Sequence, residues 1–215
     1  MQSFSNICML ISVVWGVVSW IMGPNIHTEP GVLVAEEPVQ EACPAHDLPK
    51  VKDYTISAVA TYNIRGRVLH KKIYYANGND IVPYDVALGW GRMSDQSVLD
   101  KMTISQGNRF YFYEYEGGAP IPEKEIIAHS SNNHLIAANS SVAWAIRGLY
   151  PGEVVTLSGY LVNVSGPNSF HWVTSTSRTD TGAGACEVMY VEKIKVEEDV
   201  VPVVTPPPPA ATAAK

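Results

Sequence analysis

The chain has 215 residues, 46% of them apolar, and a formal net charge of -6. That is enough apolar material for one respectable core, and both ends are non-globular in composition, so a single domain is expected. The acidic balance excludes a general grip on phosphate backbones, which needs clustered Lys and Arg, although it leaves room for a local site. Of the three cysteines, Cys8 lies in the apolar N-terminus, leaving Cys43 and Cys186 for any disulfide in an oxidising compartment. There is no CxxC and no zinc-type pairing, so neither a metal nor another cofactor is expected.

From Ile7 to Met22 the chain is uncharged and almost wholly apolar, and no formally charged side chain precedes Glu29. Drawing in Ser3 to Pro24 gives the roughly 20 residues that a spanning helix needs, so residues 1–23 read as a membrane anchor. A cleaved signal peptide is the competing reading; it lacks a basic n-region, and Leu33-Val34-Ala35 has a bulky residue where a small one is wanted. No Lys or Arg occurs before Lys50, so the positive-inside rule has little to act on, and the globular domain is expected outside the cytoplasm. Residues 24–52 hold five prolines and no periodic apolar pattern, and so read as a flexible linker.

Tyr54 to Tyr62 is a β-run, broken near Arg65-Gly66-Arg67 and resumed from Val68 to Tyr75, with Gly66 either a turn or a bulge in one long strand. Asn77-Gly78 is a turn signal. In Tyr84 to Arg92, Gly89 and Gly91 flank Trp90, which predicts an irregular backbone clamped by a large ring. Ser94 caps a short helix through Leu99. A hairpin follows, Met102 to Ser105 and Arg109 to Tyr115, whose Phe110-Tyr111-Phe112-Tyr113 puts aromatics on both faces. Such a strand is either covered on both sides or an aromatic ligand platform built on Tyr111 and Tyr113. Pro122 starts a short helix, Glu123 to Ala128; His129-Ser-Ser-Asn-Asn-His134 comes next, and a second helix, Val142 to Gly148, is capped from Asn139 to Ser141.

The stretch from Gly152 to Val196 organises the rest. Val155, Leu157, Gly159 and Leu161 carry the two-residue period of a strand with one buried face. Ser165 to Asn168 turns the chain, and Phe170, Trp172 and Thr174 form the return strand. The loop from Ser175 to Cys186 is too rich in small and hydroxyl residues to pack a core, and Val188 to Val196 is a closing strand. Residues 197–215 form a Pro/Ala-rich disordered tail. The domain from 53 to 196 is expected to be mainly β: a small antiparallel, OB-like β-barrel of five to seven strands with short inserted helices, a β-sandwich being the alternative.

Ala87-Leu-Gly-Trp-Gly91, Met93-Ser-Asp95, His129-Ser-x-Asn-x-His-Leu-Ile136, Pro151-Gly152 with Gly159-Tyr-Leu-Val162, and Asp180-Thr-Gly-x-Gly-Ala-Cys-Glu187 together resemble a family of uncharacterised bacterial proteins, usually with an N-terminal hydrophobic segment. The resemblance spans about residues 54 to 195, implies a bacterial source and implies no activity.

Two constellations carry chemistry. His129 and His134 with Cys186, Glu187, Asp180 and Arg178 are the ingredients of a Cys-His nucleophile pair. The five-residue His spacing is wrong for two metal ligands on one helix face. The second is the loop from Thr174 to Cys186, where Gly182 and Gly184 leave backbone N–H groups for an anion or carboxylate and Arg178 adds a cation; it lacks the Gly-Lys-Ser/Thr of a P-loop. The competing reading is a hairpin loop in which Asp180 caps its own turn and Arg178 pairs with Asp180 or Glu187. Arg178, Asp180, Gly182, Gly184, Tyr111, Tyr113 and Trp90 are therefore the candidate ligand-binding residues. The leading expectation is a membrane-tethered, non-enzymatic domain that binds a partner protein or envelope component. A Cys/His-dependent hydrolase is the alternative, and single-stranded nucleic-acid binding by an OB-like face, unlikely for an acidic chain, is the third.

Retention of the anchor is directly measurable: intact-mass analysis of protein purified from membranes should begin at residue 1, and a mature start between 24 and 40 would identify a signal peptide instead.

Overall fold

The computed structural model describes residues 26–75, 81–177, 180, 182, 184–198, 200 and 201. The described chain is mainly β. Nine strands run in chain order: β1 (Val39–Asp47), β2 (Thr55–Ile73), β3 (Tyr84–Gly89), β4 (Thr103–Gly107), β5 (Phe110–Glu114), β6 (Ser130–Ala137), β7 (Val154–Gly166), β8 (Phe170–Trp172) and β9 (Glu187–Glu197). Three short helices, α1 (Gln96–Leu99), α2 (Glu123–Ala128) and α3 (Ser140–Gly148), and a 3-10 turn at Gly91–Ser94 fill the connections.

Seven strands form one sheet in the order β1-β2-β3-β6-β9-β7-β8, and β2 also pairs with β7, so β2, β3, β6, β9 and β7 close into a ring. All of these pairings are antiparallel except β6 with β9. The 19-residue β2 makes closure feasible: Thr55 to Arg67 pair with β7 and Arg67 to Ile73 with β3, while β1 lies along its first half. It runs without a break through Gly66, where an added Cβ would stand 3.1 Å from Leu88 Cβ. Inside the ring, alternate residues of β2, β7 and β9, among them Tyr62, Ile64, Leu157, Leu161, Met189 and Val191, make the main apolar core. Gly159 sits at a register shift between β7 and β9, where a Cβ would fall 2.0 Å from Tyr190 O, so only glycine fits there.

Strands β3 and β6 are not legible as alternating sequence because both of their faces are covered, and covered strands lose the two-residue period. The irregular backbone expected at Tyr84 to Gly89 is a regular strand, and most of the His129–His134 stretch lies in β6. The helices fall where the caps place them: Asn139 Oδ1 accepts from Val142 N, and Asp95, rather than Ser94, caps α1 by accepting from Ser97 N. The β4–β5 hairpin forms its own small sheet over a second apolar cluster that holds Leu69, Met93 and Ile126.

The segment read as a linker is, over residues 26–52, packed on the ring. Val32, Leu33 and Val34 are buried, Leu33 N and Val34 N donate to Ser94 Oγ, and Gly31 N donates to Asp95 Oδ1. Arg67, 2% exposed, donates to Ile26 O and Ser94 O. Arg65 forms a two-point pair with Glu197 at 2.9 and 2.7 Å and also holds Leu33 O. Short apolar runs between prolines are enough to dock a segment once polar partners meet its backbone. Among the described residues no helix is long and apolar enough to cross a membrane; the expected anchor, residues 1–23, lies outside them. Most of the expected tail, 202–215, lies outside them too.

Leu157 and Leu161 point inward, fully buried. Leu157→Ala should lower stability by about 2 to 5 kcal/mol, as large-to-small core changes do. Thermal melting of fragment 26–201 measures it, and a shift no larger than that of the exposed control Lys195→Ala would refute the packing.

Candidate functional site

The hairpin β4–β5 is held against the ring by a buried charge. Asp85 on β3 is fully buried, and its Oδ1 accepts from Arg109 Nη1 and His134 Nδ1, both at 2.7 Å. Arg109 reaches it because Asn108 and Arg109, the hairpin turn, both adopt left-handed backbone angles, φ 51° and 70°. The guanidinium lies 3.9 Å from the Tyr74 ring centroid, and Trp172 of β8 packs against His134 with ring centroids 4.7 Å apart. A buried carboxylate needs such partners, and these three elements are thereby fixed together.

A chain of amides continues from there. His70 Nδ1 lies 2.9 Å from Gln106 Oε1, Gln106 Nε2 donates to Asn132 Oδ1 at 2.5 Å, and Asn132 Nδ2 donates to Arg109 O and, at 3.8 Å, to Cys186 Sγ.

Between hairpin, β6 and the loop after β8 lies a cavity of about 360 Å³. Strand β5 supplies Phe110, Tyr111 and Tyr113; β6 supplies Ser130, Ser131 and Asn132; α2 supplies Glu123 and Ile127. The loop closes it with Ser177, Asp180, Gly182, Ala185 and Cys186, and β9 adds Glu187. The loop braces itself: Ser175 Oγ donates to Asp180 Oδ2 at 2.7 Å, Ser177 N to Ser175 Oγ, and Val188 N to Thr174 Oγ1. Gly182, at φ 86°, holds a conformation that other residues rarely adopt.

The candidate residues therefore divide. Tyr111, Tyr113, Asp180, Gly182 and Cys186, from segments about 70 residues apart, line one cavity. His129 and His134 are not brought to Cys186: His129 Nε2 lies 3.3 Å from Glu37 Oε1, His134 bonds Asp85, and Cys186 Sγ has Asn132 and Arg109 O as its partners. Trp90 is a core residue, 1% exposed, whose Nε1 donates to Glu37 Oε2, so its ring offers no ligand platform. Gly184 shares the left-handed backbone of the loop but does not line the cavity, and Arg178 lies outside the described residues. The carboxylates that face the space work against the anion a glycine-rich loop invites. Asp85, Gln106, Arg109, Asn132 and Glu123 carry no sequence signal for the site, because isolated polar residues have no spacing pattern.

Cys43 and Cys186 are both free thiols. Burial pushes the Cys186 thiol up to about 11; the Asn132 hydrogen bond pulls it down, and the negative charges of Glu187, Asp85 and Asp180 add smaller upward pushes. Burial pushes the Tyr111 hydroxyl well above its usual range, and burial with Glu123 raises that of Tyr113. Compared with protein-family models, curated proteins and solved structures, the chain gives no match.

The thiolate is the reactive form, so a thiol raised from 9.0 to about 11 holds about 100-fold less of it at neutral pH. In a background with Cys8 and Cys43 replaced by Ser, Cys186 should react slowly with a maleimide, and His129→Ala or His134→Gln should leave the rate unchanged. Fast labelling that either substitution slows would reveal a Cys-His pair.

Proposed function

We propose that this chain is a membrane-tethered, extracytoplasmic binding domain without catalytic activity, taking a partner protein or envelope component in the cavity between β5, β6 and the glycine-rich loop. The observation that carries this reading is the composition of the cavity: aromatic rings, hydroxyls and three carboxylates surround a thiol that is held protonated and has no histidine beside it. Nucleophilic catalysis by Cys needs the thiolate and a base within hydrogen-bond reach; burial disfavours the first, and among the described residues Cys186 Sγ is bonded to Asn132 and Arg109 O rather than to a base.

The ring is read as an OB-like barrel. Its strands in chain order are β2, β3, β6, β7 and β9, with α3 between the third and fourth. OB-folds bind ligands on the face of their second and third strands and with the loops after the first and fourth. The cavity uses the third ring strand, β6, and the long connection between the fourth and fifth. Fold alone does not give function, and here the position of the cavity adds to its chemistry. Three carboxylates at the site disfavour single-stranded nucleic acid, whose phosphates they repel. The apolar segment 1–23 supplies the tether in this reading.

Ala185 lines the cavity from the loop, so Ala185→Trp fills it without changing a residue of any strand. Pull-down from detergent-solubilised membranes should capture a component with the native chain that the Ala185→Trp chain, melting at the same temperature, does not retain. Equal capture by both would remove the cavity from the function.

A further inference from the structure

We infer that the face built from α3 and the turn at Tyr150-Pro151 rests on the headgroup zone of the phospholipid bilayer, with the Trp144 ring inserted at the level of the lipid esters; the inference rests on reading residues 1–23 as the tether. Helix α3 packs Val142 and Ile146 into the core and leaves Trp144 and Arg147 on its outer side. Trp144 is 73% exposed, whereas the other described tryptophans, Trp90 and Trp172, are buried and half-buried. It belongs to no apolar cluster of the core and does not line the cavity described above. One exposed ring is ordinary, but this one adjoins two more exposed apolar side chains, Tyr150 at 37% and Ile26 at 38%. The contacts that join them are continuous. The Arg147 guanidinium lies 6.0 Å from the Trp144 ring centroid, and Lys71 Nζ donates to Arg147 O and Leu149 O while standing 5.7 Å from the Tyr150 ring centroid. Ile26 N then donates to Pro151 O at 2.9 Å.

The second observation is where the tether joins the domain. Ile26 is pinned: besides its N–H on Pro151 O, its carbonyl accepts from Arg67 Nη2 at 3.2 Å, and a Cβ added at Gly152 would fall 2.0 Å from that same oxygen. In sequence only Gly23, Pro24 and Asn25 separate it from Met22, the last residue of the apolar run. Four Cα steps reach at most about 14 Å, and a headgroup zone is about 5 to 8 Å deep. A span ending at Met22 therefore holds the surface around Pro151 beside the lipid headgroups, and that surface is the one carrying Trp144, Tyr150 and Arg147. Trp and Tyr suit this depth because each puts an apolar ring toward the acyl chains and keeps a polar tip among the esters, and an Arg beside them reaches phosphate. Lys71 satisfies two carbonyls at the end of α3, so the helix terminus approaches lipid without leaving those acceptors bare. The acid beside Tyr150, Glu153, has Oε2 turned back to accept from Tyr150 N.

The test places the full chain, carrying Trp15→Phe and Trp20→Phe, in phosphatidylcholine vesicles and reads Trp144 as the fluorescence that a further Trp144→Phe substitution removes. Phosphatidylcholine brominated near the head of its acyl chain should quench most of that signal, and iodide in the surrounding water should quench little of it. The exposed Trp144→Phe position should leave the melting temperature unchanged, so the difference between the two chains reports this ring alone. Flotation of the vesicles through a density gradient checks the tether separately. A chain that floats, but whose Trp144 signal yields to iodide and not to brominated lipid, overturns the docking and leaves the tether standing. A signal shielded from both quenchers overturns it in favour of protein covering the ring. A chain that does not float with the vesicles overturns the tether, and the docking with it.

Discussion

Every backbone polar group withdrawn from water must find a partner, and strand β2 meets that requirement for three neighbouring strands at once. Along one edge it binds β7 through Thr55 to Arg67; along the other it binds β1 and then, past Arg67, β3. Closing the ring through one long strand leaves its central strands without open edges, the exposure that makes flat sheets prone to associate. The same strand carries Arg65 and Arg67, which reach out of the ring to hold Leu33 O and Ile26 O. The ring, the segment before it and the end of β9 are thus one unit because β2 touches all of them.

The candidate site depends on a second constraint, the fully buried carboxylate of Asp85. Its partners come from the turn of the β4–β5 hairpin and from β6, so neutralising it also places the aromatic strand β5 across from β6. Without that placement Tyr111 and Tyr113 would have no opposite wall. The amide chain from His70 to Cys186 links β2, the hairpin, β6 and the loop behind the cavity through successive side-chain hydrogen bonds. The loop at the front is braced by its own hydrogen bonds, Ser175 Oγ to Asp180 Oδ2 and Ser177 N to Ser175 Oγ. The thiol in its wall is held protonated by the same burial and the same carboxylates that give the cavity its negative potential.

Much of the architecture is legible in the amino-acid order, and for identifiable reasons. The period of Val155, Leu157, Gly159 and Leu161 announces a strand because one face of β7 is core, and Asn139 announces α3 because a helix start leaves N–H groups that a short side chain can accept. The aromatic run of β5 and the glycine-rich loop were recognisable as unusual because their compositions fit neither ordinary surface nor ordinary core. Strands β3 and β6 were hidden, since burial on both faces erases alternation, and the docking of residues 26–37 was hidden because prolines and acids look alike whether or not a partner surface waits for them.

By itself, then, the sequence determined local conformation: where strands alternate, where helices begin, where the chain must turn, and that the balance of charge is acidic. Tertiary structure alone decided which of those pieces meet. It separated His129 and His134 from Cys186, sealed Trp90 in the core, and brought Tyr111 of β5 and Asp180 of the loop to one cavity. The physical reason is that periodicity and capping act over a few residues, whereas the partners of a buried charge or a closing strand are chosen by burial and hydrogen bonding across the whole chain.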